Sequence, residues 1–162
     1  MFIPRWDQGG GRHDNPASYG ALYLSRAPTS PVAELLIVLR TQLVLPHHLT
    51  AEGSPYAIAS IEEASLDLLD LDDPENLVAR SLRPSGVATR ARRPTQRLAL
   101  GLHQAGFDGF EWWSTIEASW INVTLFGDRV TGRLSVIGEP EPLTVNSPVV
   151  REAAEAVGVV LG

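Results

Sequence analysis

The hydrophobic and polar positions divide the chain into short strand-like runs and three helix-like ones. Ala21 to Ser25 is predicted as a short strand. The first helix starts where Thr29 or Ser30 can cap and Pro31 sits where a missing N–H costs nothing, and it is expected to reach about Gln42. Val32, Ala33, Leu35, Leu36, Ile37, Val38 and Leu39 make it apolar almost all round, so it is expected to be buried, with Glu34 facing a partner or a cavity. Tyr56 to Ile61 and Ser65 to Leu71 read as strands. Residues 72–94, with Pro74, Pro84 and Pro94, read as one long loop region. A second helix is expected over Thr95 to Ala105, stopped by Gly106. Phe110 to Thr115, Ile121 to Phe126, and Arg133 to Val136 with Leu143 to Val145 are strand-like by aromatic and β-branched content. Ser147-Pro148 opens the last helix with the same cap chemistry as the first. Strands and helices mix without a regular βαβ alternation, which points to an α+β fold rather than a doubly wound sheet.

Composition narrows the class. At 162 residues the chain is long enough for one domain with a full core. No apolar run approaches the roughly 18 residues of a membrane span, and no signal-peptide stretch opens the chain. Cysteine is absent, so disulfides and thiolate metal sites are excluded. A cytoplasmic protein is expected. Every basic residue is Arg, which rules out lysine Schiff bases and a P-loop lysine. A net charge of -6 argues against general nucleic-acid binding, which needs a basic face. Arg80, Arg83, Arg90, Arg92 and Arg93 form a local exception, suited to a solvated loop, a phosphate or an acidic partner.

The candidate chemistry begins at Gly9-Gly10-Gly11-Arg12-His13-Asp14-Asn15-Pro16. No Lys follows these glycines and no strand precedes them, so they are neither a P-loop nor a dinucleotide fingerprint. Arg12 and Tyr23 are eleven residues apart, and Tyr23 and Glu34 eleven again. A cation, an aromatic and a carboxylate on three successive elements are expected to meet in one pocket. The trio suits a ligand with a phosphate, a flat ring and a sugar that develops positive charge. A cationic nicotinamide leaves as a neutral base, so a single carboxylate suffices for that N-glycosidic bond. Ser114 lacks a histidine base and a nucleophile elbow, and is read as a hydrogen-bonding hydroxyl. His13, His47, His48 and His103 show no metal spacing.

With these residues in view, the chain resembles the RES domain family, named for its Arg, Glu and Ser. The matching pieces are Gly11 to Pro16, Tyr19-Gly20-Ala21-Leu22-Tyr23-Leu24, Pro28 to Glu34, Thr95-Gln96 to His103, Phe107-Asp108-Gly109-Phe110-Glu111-Trp112-Trp113-Ser114, and Asn122 to Phe126. The resemblance implies an ADP-ribosyltransferase-like α+β fold, a mixed sheet with flanking helices in a single domain, binding NAD as substrate without a metal. It implies a toxin of a type II toxin–antitoxin pair that depletes NAD by hydrolysis or phosphorolysis. Carried over, Arg12 would engage the phosphates, Tyr23 the nicotinamide side, Glu34 the ribose and its developing charge, and Ser114 the sugar. The implied partner is an Xre-like antitoxin whose C-terminal segment plugs the cleft, in an oligomeric complex. Inorganic phosphate is the alternative acceptor to water, and neither nucleic acid nor membrane is expected as a direct partner.

Two departures from the family pattern stand out. Only eleven residues precede Arg12, so the family's earlier arginine-bearing strand is expected to be missing or replaced, with Arg5 as a candidate substitute. Thr115 stands where an Arg often follows the serine. Both remove positive charge, and they motivate two alternatives: a non-catalytic, shortened RES domain that binds an antitoxin or nucleotide, and a protein ADP-ribosyltransferase.

Overall fold

A computed structural model describes residues 4–162. The strands are β1 Ala21–Ser25, β2 Leu43–Val44, β3 Thr50–Ala51, β4 Ser54–Pro55, β5 Ala57–Glu63, β6 Leu68–Asp70, β7 Gly109–Trp113, β8 Ile121–Phe126, β9 Leu134–Pro142 and β10 Val160–Leu161. The α-helices are α1 Thr29–Leu36, α2 Pro74–Ala79, α3 Pro84–Val87, α4 Arg92–Ala105, α5 Gly127–Val130 and α6 Pro148–Val157. These elements gather into two compact units, the chain up to Arg26 with Glu63–Ser135, and Ala27–Glu62 with Val136–Gly162.

The first unit is built on a four-stranded mixed sheet in the order β1-β8-β7-β6. β8 runs antiparallel to β1 and β7, and β6 runs parallel to β7. The register pairs Tyr23 with Thr124, and Thr124 with Phe110. Since side chains alternate between faces, Tyr23 and Ser25, Thr124 and Asn122, and Phe110, Trp112 and Ser114 share one face. The α4 end of that face is apolar: Ala21, Leu69, Phe110 and Phe126 cluster with Ala99 and Leu102 of α4. The opposite face buries Val123 and Leu125 against Val130, with Leu22, Leu24, Leu68 and Leu134 packed around them. Gly109 is required at the β7–β8 contact, because a Cβ there would stand 2.3 Å from the Thr124 carbonyl oxygen.

The second unit pairs α1 with α6. Val32, Ala33 and Leu36 of α1 and Val150, Ala153, Ala154 and Val157 of α6 are their buried apolar residues, and three alanines among them allow close approach. Past α6, β10 adds parallel to β2, and the Arg40 Nε–H donates to the Val157 carbonyl at 2.9 Å, closing the C-terminus of α6. The β3–β4 hairpin turns through Glu52 and Gly53, both with positive φ (51° and 80°), the pair a type I′ turn demands.

The α+β mixed sheet with flanking helices is as expected, and several elements differ in detail. The region 72–94 holds α2 and α3, each with proline in its first turn; Asp73 caps α2 by accepting from Glu75 N at 2.9 Å. α4 begins at Arg92, three residues before the expected start, so Pro94 sits in its first turn, where its missing N–H costs nothing. α1 ends at Leu36 and tightens into a 3-10 turn over Ile37–Leu39. The apolar stretch is not buried all round: Glu34 of α1 is exposed, and Val38 in the 3-10 turn is 76% exposed. Thr29 and Ser30 are inside α1, and neither the Pro28 cap nor the Ser147 cap of α6 makes a side-chain cap bond. The Ser147 hydroxyl instead accepts from Thr144 N at 3.0 Å. β9 continues through Glu139-Pro140-Glu141-Pro142 to meet β5, and residues 143–145 are not a strand. Gly106 and Gly158 end α4 and α6 in the left-handed conformation, φ 106° and 70°.

Candidate functional site

The glycine segment is a built loop. Gly9 N and Gly11 N both donate to Asp14 Oδ2, at 2.8 and 2.6 Å. Gly11 is required here, since a Cβ would lie 2.4 Å from Asp14 Oδ1. Asp14 Oδ1 accepts the Tyr23 hydroxyl at 2.7 Å, and that hydroxyl accepts His13 N at 2.8 Å. The loop is therefore tied to the middle of β1. Gln8 extends the tie, donating to the Ala21 carbonyl and accepting from Ala21 N, both at 2.7 Å. From α4, Thr95 Oγ1 donates to the Arg12 carbonyl, and Gln96 Nε2 donates to Gly11 O at 2.9 Å. Asn15 Nδ2 donates to Gln96 O at 2.9 Å and to the Tyr19 hydroxyl at 2.7 Å.

These ties fix Arg12. Its guanidinium carbon lies 5.0 Å from the centre of the Trp112 ring, and its Nη1–H donates to the Thr89 carbonyl. Tyr23 keeps 39% of its surface exposed even though its hydroxyl is engaged. Ser114 closes β7 on the face that carries Trp112; it is 2% exposed, and its Oγ accepts Ile116 N at 3.1 Å. Arg12, Tyr23 and Ser114 thus belong to one end of one sheet face. Glu34 stands on α1 in the second unit. Arg5 lies in a 3-10 turn, Arg5–Asp7, and is exposed; Thr115 is half-buried.

His13, which the sequence presents only as a histidine without metal spacing, is a further functional candidate in the fold. It is 1% exposed, packed edge-on against Phe110 and Trp112 with ring centres 4.8 and 5.0 Å away. His13 Nδ1 lies 2.8 Å from Thr124 Oγ1, which also accepts the Trp112 Nε1–H at 3.1 Å. An indole nitrogen can only donate, so the Thr124 oxygen spends one lone pair on Trp112 and keeps a proton and a second lone pair with which to meet His13 Nδ1. Burial, and then the Arg12 and Arg92 guanidiniums, hold His13 well below the ordinary histidine value, so it is neutral. Burial pushes the Tyr23 phenol up, and the hydrogen bond to Asp14 pushes it further, so it remains protonated.

Buried polar side chains concentrate here. His13, Asp14, Ser114, Asn122 and Thr124 are each 6% exposed or less, beside a fixed guanidinium and an accessible aromatic ring. Sheets and loops do not bury this much polarity without cost, and such gatherings mark functional sites. Among the described residues, no group of three or more His, Cys, Asp or Glu is placed to hold a metal, and no helix is long and apolar enough to cross a membrane. Of the arginine-rich stretch, Arg92 approaches the site through its effect on His13, and Arg80 lies over the Phe107 ring at 5.2 Å.

A mixed sheet with flanking helices and an arginine loop held against one sheet face define the class of fold. The chain belongs to the RES domain family, which matches it over residues 3–146. Among solved structures, a chain of the crystal structure of the M. tuberculosis MbcT–MbcA toxin–antitoxin complex has the same fold, with a TM-score of 0.65 at 17% identity over 93% of this chain and 78% of that one. No relative among curated proteins matches the sequence.

Proposed function

We propose that this RES domain is the toxin of a toxin–antitoxin pair and that it consumes NAD by cleaving the bond between nicotinamide and ribose. The observation that carries the reading is the concentration of buried polar side chains around Arg12 and Tyr23 on one sheet face. Family membership and a fold shared with a chain of a toxin–antitoxin complex support it.

In this reading Arg12 holds the pyrophosphate, its planar guanidinium suited to bidentate contact with phosphate oxygens. The Tyr23 ring packs on the nicotinamide side. Ser114, whose oxygen already accepts Ile116 N, donates its hydroxyl proton to a ribose oxygen. Glu34, on the helix that follows Tyr23's strand in sequence, is assigned the carboxylate role of stabilising the oxocarbenium-like transition state. The carbon–nitrogen bond breaks with its electron pair going to the nicotinamide ring, which leaves neutral. Water then adds to the anomeric carbon and releases one proton, giving ADP-ribose; phosphate in place of water gives the sugar phosphate. The partner is an antitoxin protein, and the protein acts in the cytoplasm.

The reading is tested by incubating the pure protein with NAD, with and without phosphate, and separating the products. Free nicotinamide with either ADP-ribose or its 1″-phosphate is expected. Binding of NAD without turnover would instead support the non-catalytic RES domain, and radiolabelled protein bands in lysate would support protein ADP-ribosylation.

A further inference from the structure

The Arg12 guanidinium lies over the ring of a buried indole. Trp112 is 4% exposed, and its ring centre is 5.0 Å from the guanidinium carbon. A planar cation over an indole face is attracted by the ring's quadrupole, most strongly when the pair is desolvated. The indole is itself held in place. Its Nε1–H donates to Thr124 Oγ1 at 3.1 Å, and Thr124, 0% exposed, sits on the neighbouring strand two positions along the same face. Thr124 Oγ1 also shares a hydrogen bond of 2.8 Å with Nδ1 of His13, the residue next to Arg12, so the indole and the arginine loop are referred to one hydroxyl.

We propose that Trp112 is the positioning residue for Arg12, a rigid shelf locked by Thr124 that presents the guanidinium in one orientation to an anionic group of the substrate. The inference rests on the NAD reading for the identity of that anion, and on geometry alone for the shelf. A shelf acts on binding of the phosphate-bearing part of the ligand, which is remote from the bond that breaks. It is therefore expressed in KM rather than kcat.

The shelf is read first without ligand. By NMR, ring current should move the Arg12 Nε–H resonance upfield in the wild-type protein. Trp112→Leu should abolish that shift, Trp112→Phe should retain part of it, and Thr124→Val should reduce it. An Arg12 resonance at its ordinary position in the wild type, or one unmoved by Trp112→Leu, overturns the proposal.

The second measurement is a double-mutant cycle on ADP-ribose affinity, with KM and kcat for NAD followed alongside. Trp112→Leu should weaken ADP-ribose binding about tenfold, the size of a desolvated cation–π contact, and raise KM by a similar factor with kcat nearly unchanged. Trp112→Phe should restore most of it. In an Arg12→Leu background, Trp112→Leu should have no further effect, because the shelf then holds nothing. An equal tenfold loss in that background means that Trp112 acts only through general packing, and the proposal fails. If the ring-current shift is present but ADP-ribose does not bind the wild type, the shelf stands and the NAD reading falls.

Discussion

The Tyr23 hydroxyl donates to Asp14 Oδ1 at 2.7 Å while accepting the His13 backbone N–H at 2.8 Å. One phenol thereby fixes the arginine loop to β1. Tyr23→Phe keeps the ring and strands both partners in a largely buried place. Leaving such a group unpaired costs about 1–3 kcal/mol, so a loss of this size is expected in urea denaturation. A larger fractional loss is expected in the affinity for a phosphate-bearing ligand, since the loop that carries Arg12 is released. A variant with unchanged midpoint and affinity would show that the loop is held from elsewhere.

Gly11 is the second point at which the loop's shape is fixed, because its missing Cβ is where the Asp14 carboxylate lies. Gly11→Ala should displace Asp14 from the Gly9 and Gly11 amides and destabilise the protein by about 1–3 kcal/mol, as overpacking does. The β1–β8–β7 sheet should survive, so the far-ultraviolet circular dichroism should match the wild type while NAD consumption drops. Wild-type turnover in Gly11→Ala would contradict the loop geometry described here.

Thr124 serves two buried partners, the Trp112 indole and the His13 imidazole. Thr124→Val preserves shape and removes both bonds. A cost of about 2–3 kcal/mol is expected from two stranded polar groups, measured by chemical denaturation. Phe110→Ala on the same face, at 0% exposure, should cost about 3–5 kcal/mol by opening a cavity, which sets the scale against which the hydroxyl is judged.

His13 gives the protein a pH signature. Its pKa is lowered by burial and by two guanidiniums, while in the unfolded chain it takes the ordinary value near 6.5. Below about pH 6.5 the unfolded chain binds a proton that the folded one refuses, so stability is full above that pH and falls as the pH drops through it. The slope from this one group approaches about 1.4 kcal/mol per pH unit. His13→Asn should be less stable at pH 7.5 yet lose less between pH 7.5 and 5.5 than the wild type. A pH dependence in the wild type no steeper than in His13→Asn would show that folding does not lower the His13 pKa.

Much of this was legible in the sequence. Aromatic and β-branched content located β1, β7 and β8, and Gly106 marked the end of α4, because these signals are local. Alternation along a strand fixes which face a residue takes, and the register puts Tyr23 and Ser114 on the face that carries Trp112. The two short helices between Pro74 and Val87 were not legible, because Pro, Asp and Ser serve loops and helix starts alike. β9 was cut short for the same kind of reason: Glu139-Pro140-Glu141-Pro142 has no strand propensity and is extended by pairing with β5. The His13–Thr124–Trp112 contacts were out of reach, since Thr124 lies 111 residues from His13 and only the folded sheet brings them together.

The account turns on a carboxylate that stabilises positive charge on ribose while a guanidinium holds the pyrophosphate. The most direct test is nicotinamide release from NAD by wild-type, Glu34→Gln and Arg12→Leu proteins of equal thermal stability. Turnover by the wild type, abolished by Glu34→Gln with NAD affinity kept, and weakened through KM by Arg12→Leu, is the expected result. Nicotinamide released by Glu34→Gln at the wild-type rate, or none released by the wild type under any acceptor condition, would contradict it.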